Sequence, residues 1–150
     1  MGIRALEAAK IACEASDWTI SNLQLQKILY IAHMLYSGRN NNNPLIVGDA
    51  FQAWEYGPVL PSVYQYVKAF GASPIRNVFR SIGESGDSDE KRALVNSVGQ
   101  LSKFPPFKLV QVTHDPRGAW AKVYVPNGHC IIPQEYILDE YNTIVKPHDV

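Results

Sequence analysis

Residues 22–37 constrain the fold of this chain more than any other segment. Read as a helix, they carry apolar side chains around most of the circumference, at Leu23, Leu25, Ile28, Leu29, Ile31, Ala32, Met34, Leu35 and Tyr36. Only a narrow polar stripe remains, formed by Gln26, Tyr30, His33 and Ser37. A surface helix keeps a broad polar face, so this pattern predicts a central helix surrounded by others.

The ends of this helix are marked in the sequence. Ser21 and Gln24 have the spacing of a capping box, in which each side chain satisfies a backbone N–H of the other residue, and Ile20 is placed as a hydrophobic staple. Gly38 and the asparagine run 40–43 predict an exposed loop after the helix.

The remaining segments are shorter and favour helices with one small β element. Further helices are predicted over residues 3–16, 61–70, 88–103, 105–114 and 133–142. Asp87 and Glu90 are candidates for the capped start of the helix predicted over residues 88–103. Residues 45–57 contain a candidate strand, and the β-prone runs 122–125 and 129–132 around Asn127-Gly128 predict a hairpin. The expected fold is mainly α, a compact helical cluster around 22–37 with a small β-hairpin or β element, in a single domain over 1–150.

Charge excludes one class of function. The 150 residues contain 14 Lys and Arg and 14 Asp and Glu, and the two signs balance in each third of the chain. Proteins that bind nucleic acid carry a basic stripe that displaces counterions, and none is present here. We therefore expect no nucleic-acid partner.

The sequence also favours a reducing, aqueous compartment. No apolar run approaches the length of a membrane span, and the first residues lack the pattern of a secretory signal. A domain of this size does not need a disulfide, so Cys13 and Cys130 are predicted to be free thiols. We expect a cytoplasmic protein with no membrane partner.

Candidate catalytic and metal-binding residues are sparse. The adjacent pair His114 and Asp115 is one candidate for acid–base chemistry, in a small hydrolase, but neighbours in sequence rarely converge on one proton. The favoured interpretation places His114 at a helix end. The histidines and cysteines show no metal-ligand spacing, and no nucleotide-binding or nucleophile motif is present. We predict no catalytic residue, no metal and no cofactor, and hence no enzyme.

An aromatic segment is the strongest candidate for a binding surface. It surrounds the turn Gly57-Pro58, where proline restricts the preceding residue and glycine permits an unusual backbone angle. Tyrosine and tryptophan dominate interface hot spots, but they also pack in cores, and both interpretations stay open. The candidate partner-binding residues are Phe51, Trp54, Tyr56, Gly57, Pro58, Tyr64 and Tyr66.

Three stretches resemble one known family. Residues 23–32, LQLQKILYIA, are similar to the L-x-L-Q-K-L-L-Y-x-A helix of the Panacea, or SocA-like, antitoxin domain. Residues 53–64, AWEYGPVLPSVY, resemble its A-W-x-Y-G-P-V-x-P-x-V-Y signature. Thr113-His114 and Trp120 resemble a third segment, although Ala119 stands where the family commonly has proline.

The resemblance implies a protein-binding function. Members occur in bacteria, phages and prophages beside unrelated toxin genes, and they neutralise the toxin by direct binding. At least one presents its toxin to a cytosolic protease, and the domain has no cofactor, metal or catalytic residue. The expected partner is a cognate toxin, with a protease as a further partner. The alternative is a phage or mobile-element accessory protein that binds a host protein.

Overall fold

The computed structural model describes residues 2–148. The fold is mainly α, as predicted. The helices are α1 (Ala5–Ala15), α2 (Asn22–Arg39), α3 (Pro61–Val67), α4 (Asp89–Leu101), α5 (Pro106–Thr113), α6 (Ala119–Val123) and α7 (Gln134–Glu140). The strands are β1 (Ile3–Arg4), β2 (Ile46–Val47), β3 (Gln52–Trp54), β4 (Gly57–Val59) and β5 (Cys130–Ile131). A 3-10 turn over Lys68–Phe70 extends α3, and a π-helical turn over Tyr141–Val145 follows α7.

Helix α2 is the centre of the fold, which confirms the prediction from its apolar circumference. Helices α1, α4, α5 and α7 pack around it, and strand β4 lies against it. Its side chains Leu25, Ile28 and Leu29 are fully buried. Elements from every part of the described chain bury this helix. Their apolar side chains form one common core with it.

The polar stripe of α2 is buried as well, because other elements supply its hydrogen-bond partners. Gln26, Tyr30, His33 and Ser37 are all at most 3% exposed. Leu60 N–H donates to Gln26 Oε1 at 2.9 Å, and Ile46 N–H donates to His33 Nδ1 at 3.1 Å. The Tyr30 hydroxyl donates to the buried carboxylate of Glu140 at 2.7 Å. Buried polar groups are stable only when they are paired in this way, so each bond fixes a neighbouring segment against α2.

The predicted capping box is present at the start of α2. Gln24 N–H donates to Ser21 Oγ at 3.3 Å, and Ser21 N–H donates to Gln24 Oε1 at 3.0 Å. At the start of α4, in contrast, the cap is Ser88, whose Oγ accepts from Lys91 N–H at 3.1 Å. The cap predicted at Asp87 is wrong, because the Asp87 carboxylate is engaged by Arg92 and by Ser88 N–H.

Removal of the α2 cap should weaken the whole fold. We expect Ser21→Ala to lower the free energy of unfolding by about 1 kcal/mol, the usual cost of losing a side-chain N-cap. Urea denaturation followed by circular dichroism measures the loss. Ser81→Ala, an exposed position outside the helices, is the control and should change little. Equal midpoints for the two variants would contradict the role of the cap.

The β element lies elsewhere than the sequence predicts. Strands β3 and β4 form an antiparallel hairpin around Glu55 and Tyr56, and β5 pairs antiparallel with β3 on the other side. The hairpin predicted from the runs 122–125 and 129–132 is wrong. Residues Ala119–Val123 form a helix, and β5 finds its hydrogen-bonding partner in β3 instead. A second pair, β1 with β2, is parallel.

Two further sequence expectations can be compared with the described residues. Cys13 is buried and Cys130 is exposed, and both are free thiols as predicted. Burial raises the pKa of the Cys13 thiol to about 12, so this cysteine is a core side chain. No helix within residues 2–148 has the length and apolar character to cross a membrane.

Candidate partner-binding groove

A groove of about 510 Å³ opens between the start of α2, the β3–β4 turn and the end of α3. We call it the aromatic groove. Its lining residues are Asn22, Leu23, Gln26, Lys27, Trp54, Glu55, Tyr56, Val59, Tyr64, Lys68, Gly71, Ala72 and His129. Ligand sites are typically concave and mostly apolar with a few placed polar groups, and this lining has that composition.

Trp54 forms the wall of the groove, held between two other rings. The Tyr64 ring meets it edge-on at 4.8 Å between centroids, and the His129 ring stacks on it at 4.1 Å. Its indole N–H donates to Gln52 Oε1 at 3.0 Å. These contacts leave Trp54 few orientations, so the wall is rigid.

The structure divides the seven candidate residues into three groups. Phe51, Gly57 and Pro58 are buried, and Phe51 packs edge-on against Tyr30 at 5.2 Å between centroids. They shape the surface from beneath. Trp54, Tyr56 and Tyr64 line the aromatic groove, where Tyr56 is 60% exposed.

Tyr66 is the one aromatic candidate that the structure separates from both of these groups. It points away from the groove and stacks on Phe79, with ring centroids 5.6 Å apart. Two residues along a helix differ by about 200° in direction, so Tyr64 and Tyr66 cannot share one face of α3.

Gly57 is required where the turn crosses α2. Its φ is +117°, and a Cβ there would lie 2.6 Å from Lys27 Cε and 2.9 Å from Thr113 Oγ1. Only glycine combines a positive φ with so close an approach. The Tyr-Gly-Pro turn and the Gln-Lys pair of α2 are therefore parts of the same packing arrangement.

Lys27 is the functional candidate that the sequence analysis missed. It is fully buried, and its Nζ donates to the Pro58 carbonyl at 2.9 Å. Burial lowers the pKa of Lys27 to about 7, since a charge is costly to remove from water. The sequence does single out this position, because Lys27 is the only Asp, Glu, Lys or Arg residue in the segment 22–37.

The third stretch that resembles the family, Thr113-His114 and Trp120, contacts the β3–β4 hairpin through Trp120. The His114 ring stacks on Trp120 at 3.7 Å with planes 6° apart, and Trp120 stacks on Tyr124 at 4.7 Å. The Trp120 indole N–H donates to the Trp54 carbonyl at 2.7 Å.

The candidate acid–base pair is not assembled. Asp115 is engaged by Arg117, which lowers the pKa of the Asp115 carboxyl through hydrogen bonds. Burial and the nearby Lys27 lower the pKa of His114, which is the C-cap residue of α5 as predicted. Within residues 2–148, no three His, Cys, Asp or Glu side chains come together where a metal ion could be held.

Comparisons with known proteins identify the family. The family model described as "Antitoxin SocA-like, Panacea domain" matches residues 25–121, a span that holds most of α2, the β3–β4 turn and Trp120. Antitoxin SocA of Caulobacter vibrioides (strain NA1000 / CB15N) is 33% identical over 119 residues, which cover 71% of this chain and 61% of that protein. No solved structure matches the chain. The model spans well over half of the chain, and the chain therefore belongs to the antitoxin SocA-like, Panacea domain family.

Proposed function

We propose that this chain is an antitoxin that neutralises a cognate toxin by direct binding, without catalysis, and that the aromatic groove is part of its toxin-facing surface. The family assignment supports a toxin as the partner. The observation that carries the choice of surface is Tyr56, a 60% exposed ring on a turn whose backbone is held by side chains of two helices, α2 and α6.

An aromatic side chain on a rigid turn suits this role. Interface hot spots are rigid rings in which few torsions remain to be fixed on binding. Trp54 and Tyr64 supply a preformed wall beside Tyr56. The chain has zero net charge, so overall electrostatic attraction contributes little, and affinity must come from apolar anchors and shape.

The decisive experiment uses the product of the neighbouring gene. This product should arrest growth when expressed alone and be harmless when this chain is co-expressed with it. A neighbour that is harmless alone, or that stays lethal in the presence of this chain, would rule out the antitoxin function. Capture of a host protein, with no partner from the same operon, would instead support the accessory-protein alternative.

Neutralisation can proceed by covering the toxin or by presenting it to a protease. We propose that this chain covers the toxin, and that presentation to a protease is an added step. The toxin half-life, measured with and without this chain after protein synthesis is stopped, separates them. A shortened half-life in wild-type cells that returns to normal in a strain lacking cytosolic proteases supports presentation. An unchanged half-life with full neutralisation supports covering alone.

Replacement of Tyr56 should weaken toxin binding without loss of stability. We expect Tyr56→Ala to raise the Kd for the toxin about 30-fold, the effect of losing a hot spot of about 2 kcal/mol. The melting temperature should stay almost unchanged because the ring is mostly exposed. Isothermal titration calorimetry and thermal denaturation provide the two readouts.

Phe107→Ala is the matched control for this prediction. Phe107 is an aromatic residue on α5 with 66% exposure, and it does not line the aromatic groove. If Phe107→Ala and Tyr56→Ala weaken binding equally, the groove is not the specific surface. A fall of several degrees in the melting temperature of Tyr56→Ala, with binding intact, would assign Tyr56 a packing role.

A further inference from the structure

The backbone on either side of Tyr56 is held at two carbonyls by side chains from outside the hairpin. Trp54 C=O accepts from the Trp120 indole N–H at 2.7 Å, and Pro58 C=O accepts from Lys27 Nζ at 2.9 Å. The two donors therefore hold the backbone on both sides of the Glu55–Tyr56 turn.

The donor to the Trp54 carbonyl, Trp120, is itself immobilised. The rings of His114, Trp120 and Tyr124 form a continuous stack, with centroid separations of 3.7 and 4.7 Å. Stacked rings at these distances resist rotation. A two-residue turn supported by such a stack cannot swing as a free loop would.

We infer that Trp120, assisted by His114, is a positioning residue for partner binding, which holds the Glu55–Tyr56 turn so that the Tyr56 ring is presented in one orientation. The inference rests on the proposed function for its consequence in binding. The positioning itself is a property of the chain alone, and it can be measured without a partner.

The alternative explanation is that Trp120 only fills space, since its ring is half-buried beside the core. Trp120→Phe separates the two explanations. Phenylalanine keeps an aromatic ring in the stack but has no N–H to donate to the Trp54 carbonyl. A purely space-filling role predicts a change in global stability, whereas a positioning role predicts a local change at the turn.

The first measurement is amide hydrogen exchange in the free protein. We expect Trp120→Phe to accelerate exchange at the amides of Trp54 and Gly57, which pair across the hairpin, about tenfold, while amides of α2 keep their protection, because only local opening becomes easier. Trp18→Phe is the control, since Trp18 packs against the core outside the aromatic groove. Unchanged exchange at Trp54 and Gly57, or equal acceleration over the whole chain, would overturn the inference.

The second measurement is binding to the purified toxin. Trp120→Phe should raise the Kd about fivefold to tenfold, the range for one lost hydrogen bond. In the Tyr56→Ala background the same substitution should add little, because no ring remains to be positioned. Fully additive effects would overturn the inference even if wild-type protein binds the toxin. Failure of the wild type to bind would reject the proposed function and leave hydrogen exchange to decide the positioning.

Discussion

Gly57→Ala should lower the free energy of unfolding by about 3 kcal/mol, more than any other single change at the turn. One part of the loss is the backbone angle, because a residue with a Cβ is strained at a φ of +117°. The other part is the contact of 2.6 Å that a Cβ would make with Lys27 Cε. Lys27 cannot move aside, since its side chain is fully buried and bonded to Pro58. Urea denaturation measures the loss.

Gly71→Ala separates the cost of the backbone angle from the cost of the close contact. Gly71 also has a positive φ, of +57°, but a Cβ there meets nothing within 4 Å. This control should lose only about 1 kcal/mol, the conformational part of the cost. If both variants lose the same amount, the close approach of the turn to Lys27 makes no energetic contribution, and the packing argument for Gly57 is wrong.

The stability of the protein should rise between pH 7 and pH 9. The folded-state pKa of Lys27 is about 7, whereas lysine in an unfolded chain titrates near pH 10.4. In this window the unfolded chain holds a proton that the folded chain has released, so the free energy of unfolding increases with pH. Each unit of pH contributes up to about 1.4 kcal/mol, and we expect a rise on the order of 2 kcal/mol.

The upper limit of the window is set by a second buried group. Burial raises the pKa of Cys13 to about 12 in the folded protein. Above about pH 9 the unfolded thiol loses its proton first, and this loss offsets the gain from Lys27, so the rise in stability ends there. The measurement therefore compares denaturation midpoints at pH 7, 8 and 9.

Lys27→Met tests the origin of the rise. Methionine fills a similar volume and does not titrate, so the pH dependence between 7 and 9 should disappear. The matched control is Lys103→Met, since Lys103 is exposed and should leave the slope of the wild type unchanged. A slope that survives in Lys27→Met would show that another group releases the proton.

Most of the helical architecture follows from local sequence patterns. The apolar circumference of residues 22–37, the capping box at Ser21 and the prolines at 61 and 106 each mark an element that the structure contains. These signals are legible because they depend on residues within one or two helical turns of each other.

The hairpin is the clearest failure of local reasoning. Asn127-Gly128 does lie in a turn, with Asn127 at a φ of +61°. The run before it, however, forms the helix Ala119–Val123, in which Trp120 and Val123 pack against the core. Short β-prone segments adopt the structure that buries them best, and this depends on the neighbours that they meet.

The candidate groove was only half visible in the sequence. Trp54, Tyr56 and Tyr64 are recognisable as an aromatic segment, but which of Tyr64 and Tyr66 faces the groove depends on the rotation of α3. The role of Trp120 beneath the turn depends on a hydrogen bond between residues 66 positions apart in the chain. No periodicity links such distant residues.

The sequence by itself determined that the chain forms a helical domain around residues 22–37, carries no basic stripe and resembles the antitoxin family to which it belongs. Only the tertiary structure decided that the polar stripe of α2 is buried and that Lys27 and Gly57 lie in contact. It also decided that Tyr56 is the exposed ring of the turn. The physical reason is that periodicity reports which side of a helix avoids water, whereas the pairing of buried polar groups depends on donors and acceptors that distant segments bring to it.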